Sequence, residues 1–408
     1  MNGKMRGSLV VLAAGALVLT GCTATATNQG GDGGDNAGGD EIIIGAVIAE
    51  TGVMNQYDLP AMAAVEMAIE DLNAEGGILG RQVRLIQEDY KSERNLAPTV
   101  AQEVINQGAD ALIVSCDYDF GSPAALAAQS AGLISVSLCA GSPRFGPIGG
   151  LDLGFSAGMV SQATAAAAAE WANTEQGWKT AYVLEDPTLR VDTDWANGFI
   201  DAFEHFAGEG AVLGKDTFQN SDPSINAQIS KIQALPTPPE VLVISSYAPG
   251  GASALRQVRA AGIDVPVLLN DALDSTGWFD AVPDLANTWV ANHAQYHGGD
   301  PSDKVNEIID RYVEAQGDFP PSSLIVDGYI AMQMIAQGME RADSTEGEAV
   351  TAALEDGTPV ETVVGPATFS ETLHTAADRP VTIAALEGGE PTFAARLTAS
   401  YLPEIATE

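Results

Sequence analysis

The residues of this chain that could do chemistry stand in loops that follow short apolar runs. Cys116-Asp117-Tyr118-Asp119 comes after the run 111–115, which ends on Ser115, and Cys139-Ala140-Gly141-Ser142 comes after 133–138. Tyr247 follows 241–245, Asp271 follows 265–269, and Thr51 and Tyr57 belong to the loop after 41–47. Together they offer hydroxyls, carboxylates and aromatic faces, a mixture suited to gripping one small polar molecule. Covalent catalysis has less support. There is no Gly-x-Ser-x-Gly elbow, no Walker A sequence and no Gly-x-Gly-x-x-Gly after the first strand. The four His residues are scattered, and His293 and His297 have i,i+4 spacing without the Glu of a helical zinc motif, so they are expected at a hinge or the surface. The reading is a binding protein and not an enzyme, with no catalytic residue, metal or cofactor. Cys116 and Cys139 lie beyond the ends of strands expected to be neighbours, which favours a disulfide between the two loops over a nucleophile.

The elements that must position these loops begin at 41–89. Residues 41–47 (Glu-Ile-Ile-Ile-Gly-Ala-Val) suit a strand buried on both faces. After a polar, Gly-containing loop, Pro60 reads as a first-turn residue of a helix with Met62, Val65, Ile69 and Leu72 on one face and Gly76-Gly77 as its stop. Residues 83–86 form the next strand. This is a βαβ unit, and open sheets of that kind bind ligands outside the carboxyl ends of their strands. A helix capped by Ser122 and opened by Pro123 is expected to end at Gly132, and the turn-rich stretch 146–158 to lead into a second domain. There, strands at 180–184, 211–218, 241–245, 265–269 and 288–291 alternate with helices near 193–206, 226–235 and 251–261. Beyond them, 305–315, 325–341 and 348–355 read as helices, and 358–369 and 381–386 as edge strands and turns. The pattern predicts an α/β protein of two similar lobes, each a parallel sheet flanked by helices.

An internal match links the lobes. Ser115 closes one strand and Ala131-Gly132 opens the next; Ser245 and Ala261-Gly262 repeat that separation. Superposing the units sets Cys116-Asp117-Tyr118 against Ser246-Tyr247-Ala248 and Cys139-Ala140-Gly141 against Leu269-Asn270-Asp271. Strand ends of the two lobes would then face each other across a cleft, and a ligand would touch two loops from each.

Composition supplies the address. Lys4 and Arg6 precede an apolar run over 9–19, and Leu19-Thr20-Gly21-Cys22 follows. Residues 1–22 read as a lipoprotein signal peptide and lipobox, with Cys22 receiving the lipid; the run is short for a transmembrane helix. Residues 23–40, rich in Thr, Asn, Gly and Asp, read as a flexible tether. Export would place the remaining two cysteines in an oxidising compartment. A net charge of −37, from 55 acidic against 18 basic residues, repels nucleic acid and anionic membrane surfaces, so contact with a membrane is expected through the lipid alone. Such acidity suits saline or alkaline surroundings.

Asp71-Leu72-Asn73-Ala74-Glu75-Gly76-Gly77-Ile78-Leu79-Gly80-Arg81, placed after a strand, a Thr-Gly loop and a helix rich in Ala and Glu, resembles the start of the leucine-binding type I periplasmic-binding-protein family. These are extracytoplasmic solute-binding proteins of ABC transporters for branched-chain amino acids. The resemblance implies a three-segment hinge with crossings near 155, 293 and 345. The lobes would then comprise 41–155 plus 294–345 and 156–293 plus 346–408. It also implies a ligand held by two ends, with first-lobe hydroxyls and backbone N–H groups on a carboxylate and a second-lobe acid on an ammonium. Asp271 matches that acid, Tyr247 matches an aromatic beside the ligand, and Trp195 stands where the family usually has a Tyr.

The first lobe departs from this pattern: Gly141 replaces a common hydroxyl residue, and Asp117-Tyr118-Asp119 occupies a loop that is usually Ser-rich. Two poorly solvated carboxylates there would oppose a ligand carboxylate by about a few kcal/mol. The expected ligand is therefore a branched-chain or other amino acid, or an amide, urea-like compound or cation. The expected role is capture by a monomeric, lipid-anchored protein outside the cell membrane and delivery to a permease. The same fold acting as a sensor for a membrane kinase is the alternative.

Overall fold

The computed structural model describes residues 41–282 and 285–405. Residues 1–40, where a signal peptide, a lipidated Cys22 and a tether are expected, lie outside the described residues. None of the described helices is long and apolar enough to cross a membrane.

The first lobe is built from β1 (Ile42–Ile48), α1 (Asn55–Ala74), β2 (Val83–Asp89), α2 (Ala97–Asn106), β3 (Ala111–Val114), α3 (Tyr118–Ser130), β4 (Ser135–Ser137) and β5 (Gly154–Met159). The second takes α4 (Ser161–Thr174), β6 (Ala181–Glu185), α5 (Arg190–Ala207), β7 (Val212–Thr217), α6 (Asn226–Gln233), β8 (Val241–Ser245), α7 (Gly250–Ala260), β9 (Val267–Leu269) and β10 (Thr288–Asn292). Then α8 (Asp303–Gln316), α9 (Ile325–Ala342), α10 (Gly347–Leu354) and β11 (Thr375–Ala376) return to the first lobe, and β12 (Val381–Glu387) and β13 (Glu390–Leu397) join the second.

The first sheet has strand order β11-β5-β4-β3-β1-β2, and every pairing is parallel. The apolar runs occupy its middle: Ile42, Ile44, Ala46, Leu112, Ile113 and Val114 are buried, as strands covered by helices on both faces must be. The second sheet runs β13-β12-β10-β9-β8-β6-β7. It is parallel from β10 to β7, but β12 pairs antiparallel with both β10 and β13. Its last two strands form a hairpin, which a two-residue Gly388-Gly389 connection makes possible without a crossover helix. One core of this lobe packs the alanines of α4 against Trp195, Phe199 and Phe203 of α5, and another covers the opposite face of the sheet.

Several expectations are corrected. The stretch 154–159 is a buried strand of the first sheet, disguised by Gly154 and Gly158, so the first crossing comes at residue 160 and not near 155. The third crossing falls over 377–380 and not near 345. Val350, Leu354, Val360 and Phe369 belong to the first lobe's core, and β11 pairs with β5. Residues 346–376 are therefore first-lobe material. Helices α1 and α3 begin one turn earlier than Pro60 and Pro123 suggested. Each Pro is the sixth helical residue, so each helix forgoes an internal hydrogen bond. The earlier start puts Tyr57 and Asp58 in the first turn of α1 and makes Asp117 the N-cap of α3.

Candidate functional site

The carboxyl ends of the central strands in both sheets open onto one cavity. Met54, Tyr57, Cys116, Asp117, Cys139, Gly141 and Leu324 line it from the first lobe, and Leu189, Val191, Tyr247, Asp271, Ala272 and His293 from the second lobe and the hinge. The space between these residues is about 460 Å³, part of it open to solvent. The lobes meet around it through direct hydrogen bonds. The Tyr57 hydroxyl donates to the Ala272 carbonyl (3.2 Å), Ser142 Oγ to Asp194 Oδ2 (2.7 Å) and the Arg190 N–H to Asp119 Oδ2 (3.0 Å). The structure therefore has the lobes closed on each other.

Asp58 organises the first-lobe wall. Its buried carboxylate accepts from the Ala49 N–H (2.7 Å), Ser115 Oγ (2.8 Å) and the Cys116 N–H (2.8 Å), tying the start of α1 to the ends of β1 and β3. Burial pushes its pKa up to about 6 despite those three donors. The second-lobe wall is tied similarly: Asn270 Nδ2 donates to Asp192 Oδ1 (2.8 Å), and Ser246 Oγ donates to Asp186 Oδ2 (3.1 Å). Asp192 is buried, and its pKa is held well above the carboxylate range by desolvation and by the neighbouring Asp186.

Two acids face the cavity itself. Asp117 caps α3 by accepting from the Phe120 N–H (3.2 Å), and its Oδ2 is buried without a partner. Burial, with Asp119 beside it, pushes Asp117 up to about 7. Asp271 leaves its Oδ1 buried and unpartnered, while its Oδ2 stands 3.6 Å from His293 Nε2. The other ring nitrogen of His293 meets Asp327 Oδ2 at 2.5 Å, and Arg379, buried at the third crossing, lies 3.9 Å from Asp327 Oδ1. Burial disfavours the imidazolium, but Asp327 and Asp271 outweigh it and raise His293 to about 10, so the ring is a cation at neutral pH. A chain of alternating charge thus runs from the cavity to the hinge.

These shifts share a sign, which yields a prediction. Asp58, Asp117 and His293 all hold protons more tightly folded than unfolded. Their stabilising contribution is complete below the unfolded pKa and is lost as pH rises through the folded value. The melting temperature should therefore fall from about pH 6.5 to pH 9; below that range His297 and His374, whose pKa values burial lowers, act in the opposite sense. A maximum at pH 8 or above in a calorimetric series would contradict this.

Of the sequence-predicted residues, Tyr57, Asp117, Gly141, Tyr247 and Asp271 line the cavity. Ser115 lies just behind the wall with its hydroxyl committed to Asp58 and Tyr90, and Ser142 forms the interlobe clasp. Ala140 is buried, and its N–H is spent on Ser137 Oγ. Tyr118 is half-buried against the first-lobe core and is not among the lining residues. Thr51 and Trp195 are corrected outright. Thr51 is exposed and donates to Asp89 Oδ2 (2.7 Å), while Trp195 stacks on Phe199 inside the second-lobe core, so neither forms a wall. Met54, Leu189, Val191, Ala272, His293 and Leu324 were missed. Leu189 and Val191 follow β6, so the strand-end rule could have found them; His293 and Leu324 arrive through the hinge, which has no local signature. Among the described residues no group of His, Cys, Asp and Glu could hold a metal ion. Cys116 and Cys139 adjoin in disulfide geometry, with Cα atoms 4.5 Å apart.

Two α/β lobes closing on a cavity at their strand ends define a binding protein of the bilobal periplasmic type. The family model described as periplasmic binding protein matches residues 41–390, and the chain belongs to that family. As a member it is a solute-binding protein and not an enzyme. The Leu/Ile/Val-binding protein homolog 3 of Brucella melitensis is 25% identical over 335 residues, spanning 81% of this chain and 88% of the relative. The fold is similar to that of a leucine-binding protein from Thermotoga maritima (TM-score 0.75, 21% identity, covering 88% of this chain and 99% of the other). It is also similar to a branched-chain amino acid transporter substrate-binding protein from Streptococcus pneumoniae crystallised with isoleucine (TM-score 0.74, 19% identity, 89% and 100%).

Proposed function

We propose that this chain is the solute-binding lipoprotein of an ABC importer, tethered outside the cell membrane through Cys22, and that it hands a small polar ligand to a permease. The observation that carries the binding role is the cavity between the lobes, where Asp117 on one side and Asp271 on the other each keep a buried carboxyl oxygen without a partner. A ligand touching both lobes favours the closed arrangement because it gains contacts there that the open one lacks. Tyr57, Gly141, Tyr247 and the apolar side chains of Met54, Leu189 and Val191 would form its remaining surroundings. The relatives named for leucine, isoleucine and valine support a solute of amino-acid size or smaller.

A thermal-shift screen of amino acids, amides, ureas and amines, followed by calorimetry, tests the binding role, since a ligand selective for the folded state raises the melting temperature by mass action. No response from any class would refute it. Metabolic labelling with palmitate should mark the wild type and not Cys22→Ser, and cross-linking in cells should recover a permease; recovery of a membrane kinase instead would make the protein a sensor.

The Cys116–Cys139 pair is proposed to be oxidised in the exported protein. Their sequence separation of 23 closes a loop worth roughly 3 kcal/mol by chain entropy. Reduction should lower the melting temperature by roughly 4 °C, and denatured, unreduced protein should show no reactive thiol at either position.

A further inference from the structure

Resting on the solute-binding reading, we propose that the molecule held between the lobes is a small organic cation with N–H donors and no carboxylate, of the alkylammonium, amidinium or guanidinium class, bridging Asp117 and Asp271.

Four of the hydroxyls around the cavity are already committed. Ser115 Oγ is bonded to Asp58, Ser142 Oγ to Asp194 and Ser246 Oγ to Asp186, and the Tyr57 hydroxyl serves the Ala272 carbonyl. Gly141 has no side-chain donor, and beside it only Ser161 Oγ, 2.7 Å from where its Cβ would stand, is buried without a partner. The Tyr247 hydroxyl can donate or accept, so it favours neither charge. The N-terminus of α3 would ordinarily attract an anion, but Asp117 caps it from within the chain. The protein thus provides, in its own side chain, a carboxylate at the place where a ligand's would otherwise be welcome, and Asp117 Oδ2 is left over as an acceptor.

Charge points the same way. Asp117 and Asp271 line the cavity; Asp192 stands behind them, but burial and Asp186 disfavour its charged form, so it is not counted in the balance. The cations nearby are His293, which is shared with Asp327, and Arg94, which lies over Phe120 outside the lining and is close enough to act on Asp117. A carboxylate ligand would add to this excess, whereas a cation would relieve it. Across the cleft, Asp117 and Asp271 oppose closure when nothing lies between them, and a cation that donates to both converts that opposition into attraction. Met54, Leu189, Val191 and Leu324 leave an apolar wall suited to a short alkyl stub.

The test compares pairs of similar shape and different charge by calorimetry on the full chain at pH 8: methylguanidine against methylurea, acetamidine against acetamide, and isobutylamine against leucine. At least one cation should bind at least 30-fold more tightly than its neutral or zwitterionic counterpart. Asp117→Asn should cut that affinity at least tenfold, and because the pairwise comparison uses the wild type, it stands whether or not the variant folds. Equal or tighter binding of the amide, the urea or leucine would overturn the proposal while leaving the solute-binding role intact, as would silence from every cation when another solute binds. Silence from all classes would overturn both.

Discussion

Asp271→Asn should weaken capture of the tightest ligand found by calorimetry at least 100-fold while leaving the empty protein folded. A charge-assisted hydrogen bond made in a buried site and then removed costs about 3 kcal/mol, which corresponds to two decades or more in Kd. The fold should tolerate the change because no close hydrogen bond holds the Asp271 carboxylate: Oδ1 has no partner and Oδ2 stands 3.6 Å from His293 Nε2. His293 keeps its counter-ion in Asp327, so no buried cation is orphaned. The expected signature is a melting temperature close to the wild type's without ligand and no ligand-induced rise with it. Affinity within threefold of the wild type would remove Asp271 from the role assigned to it.

Gly328→Ala should damage the fold, not the chemistry. Helices α1 and α9 cross so closely that a Cβ at position 328 would sit 1.8 Å from the Ala61 carbonyl oxygen and 2.6 Å from its carbon. Both contacts are with backbone, so no rotamer change can relieve them, and one helix must move. Overpacking of this severity costs about 3 kcal/mol or more, a drop in melting temperature of roughly 4 °C or more. The damage reaches the cleft because α1 carries Tyr57 and Asp58, and α9 follows directly from Leu324 and carries Asp327. Thermal unfolding of the variant measures the effect. A melting temperature within 2 °C of the wild type would mean that the helices separate at little cost.

The sequence by itself determined the elements and the strand ends on which the cavity is built. The β-branched runs at 42–48, 111–114 and 241–245 can lie only in covered parallel strands, and a loop must follow each. The matched spacing of Ser115 and Ser245 then pointed to Asp117, Gly141, Tyr247 and Asp271, because side chains just beyond equivalent strands of two similar sheets occupy equivalent places. Tertiary structure decided which neighbours those side chains keep. Thr51 was lost to Asp89 and Trp195 to a second-lobe core, while Leu324 and His293 entered from segments that approach the cavity only when the chain recrosses the hinge. Tertiary structure also assigned residues 346–376 to the first lobe, since Val350, Leu354 and Phe369 are apolar enough for either core and only the long-range fit to α9 and β5 selects one. Periodicity reports how a segment buries itself; which surface buries it depends on contacts hundreds of residues away, where no local pattern records the choice.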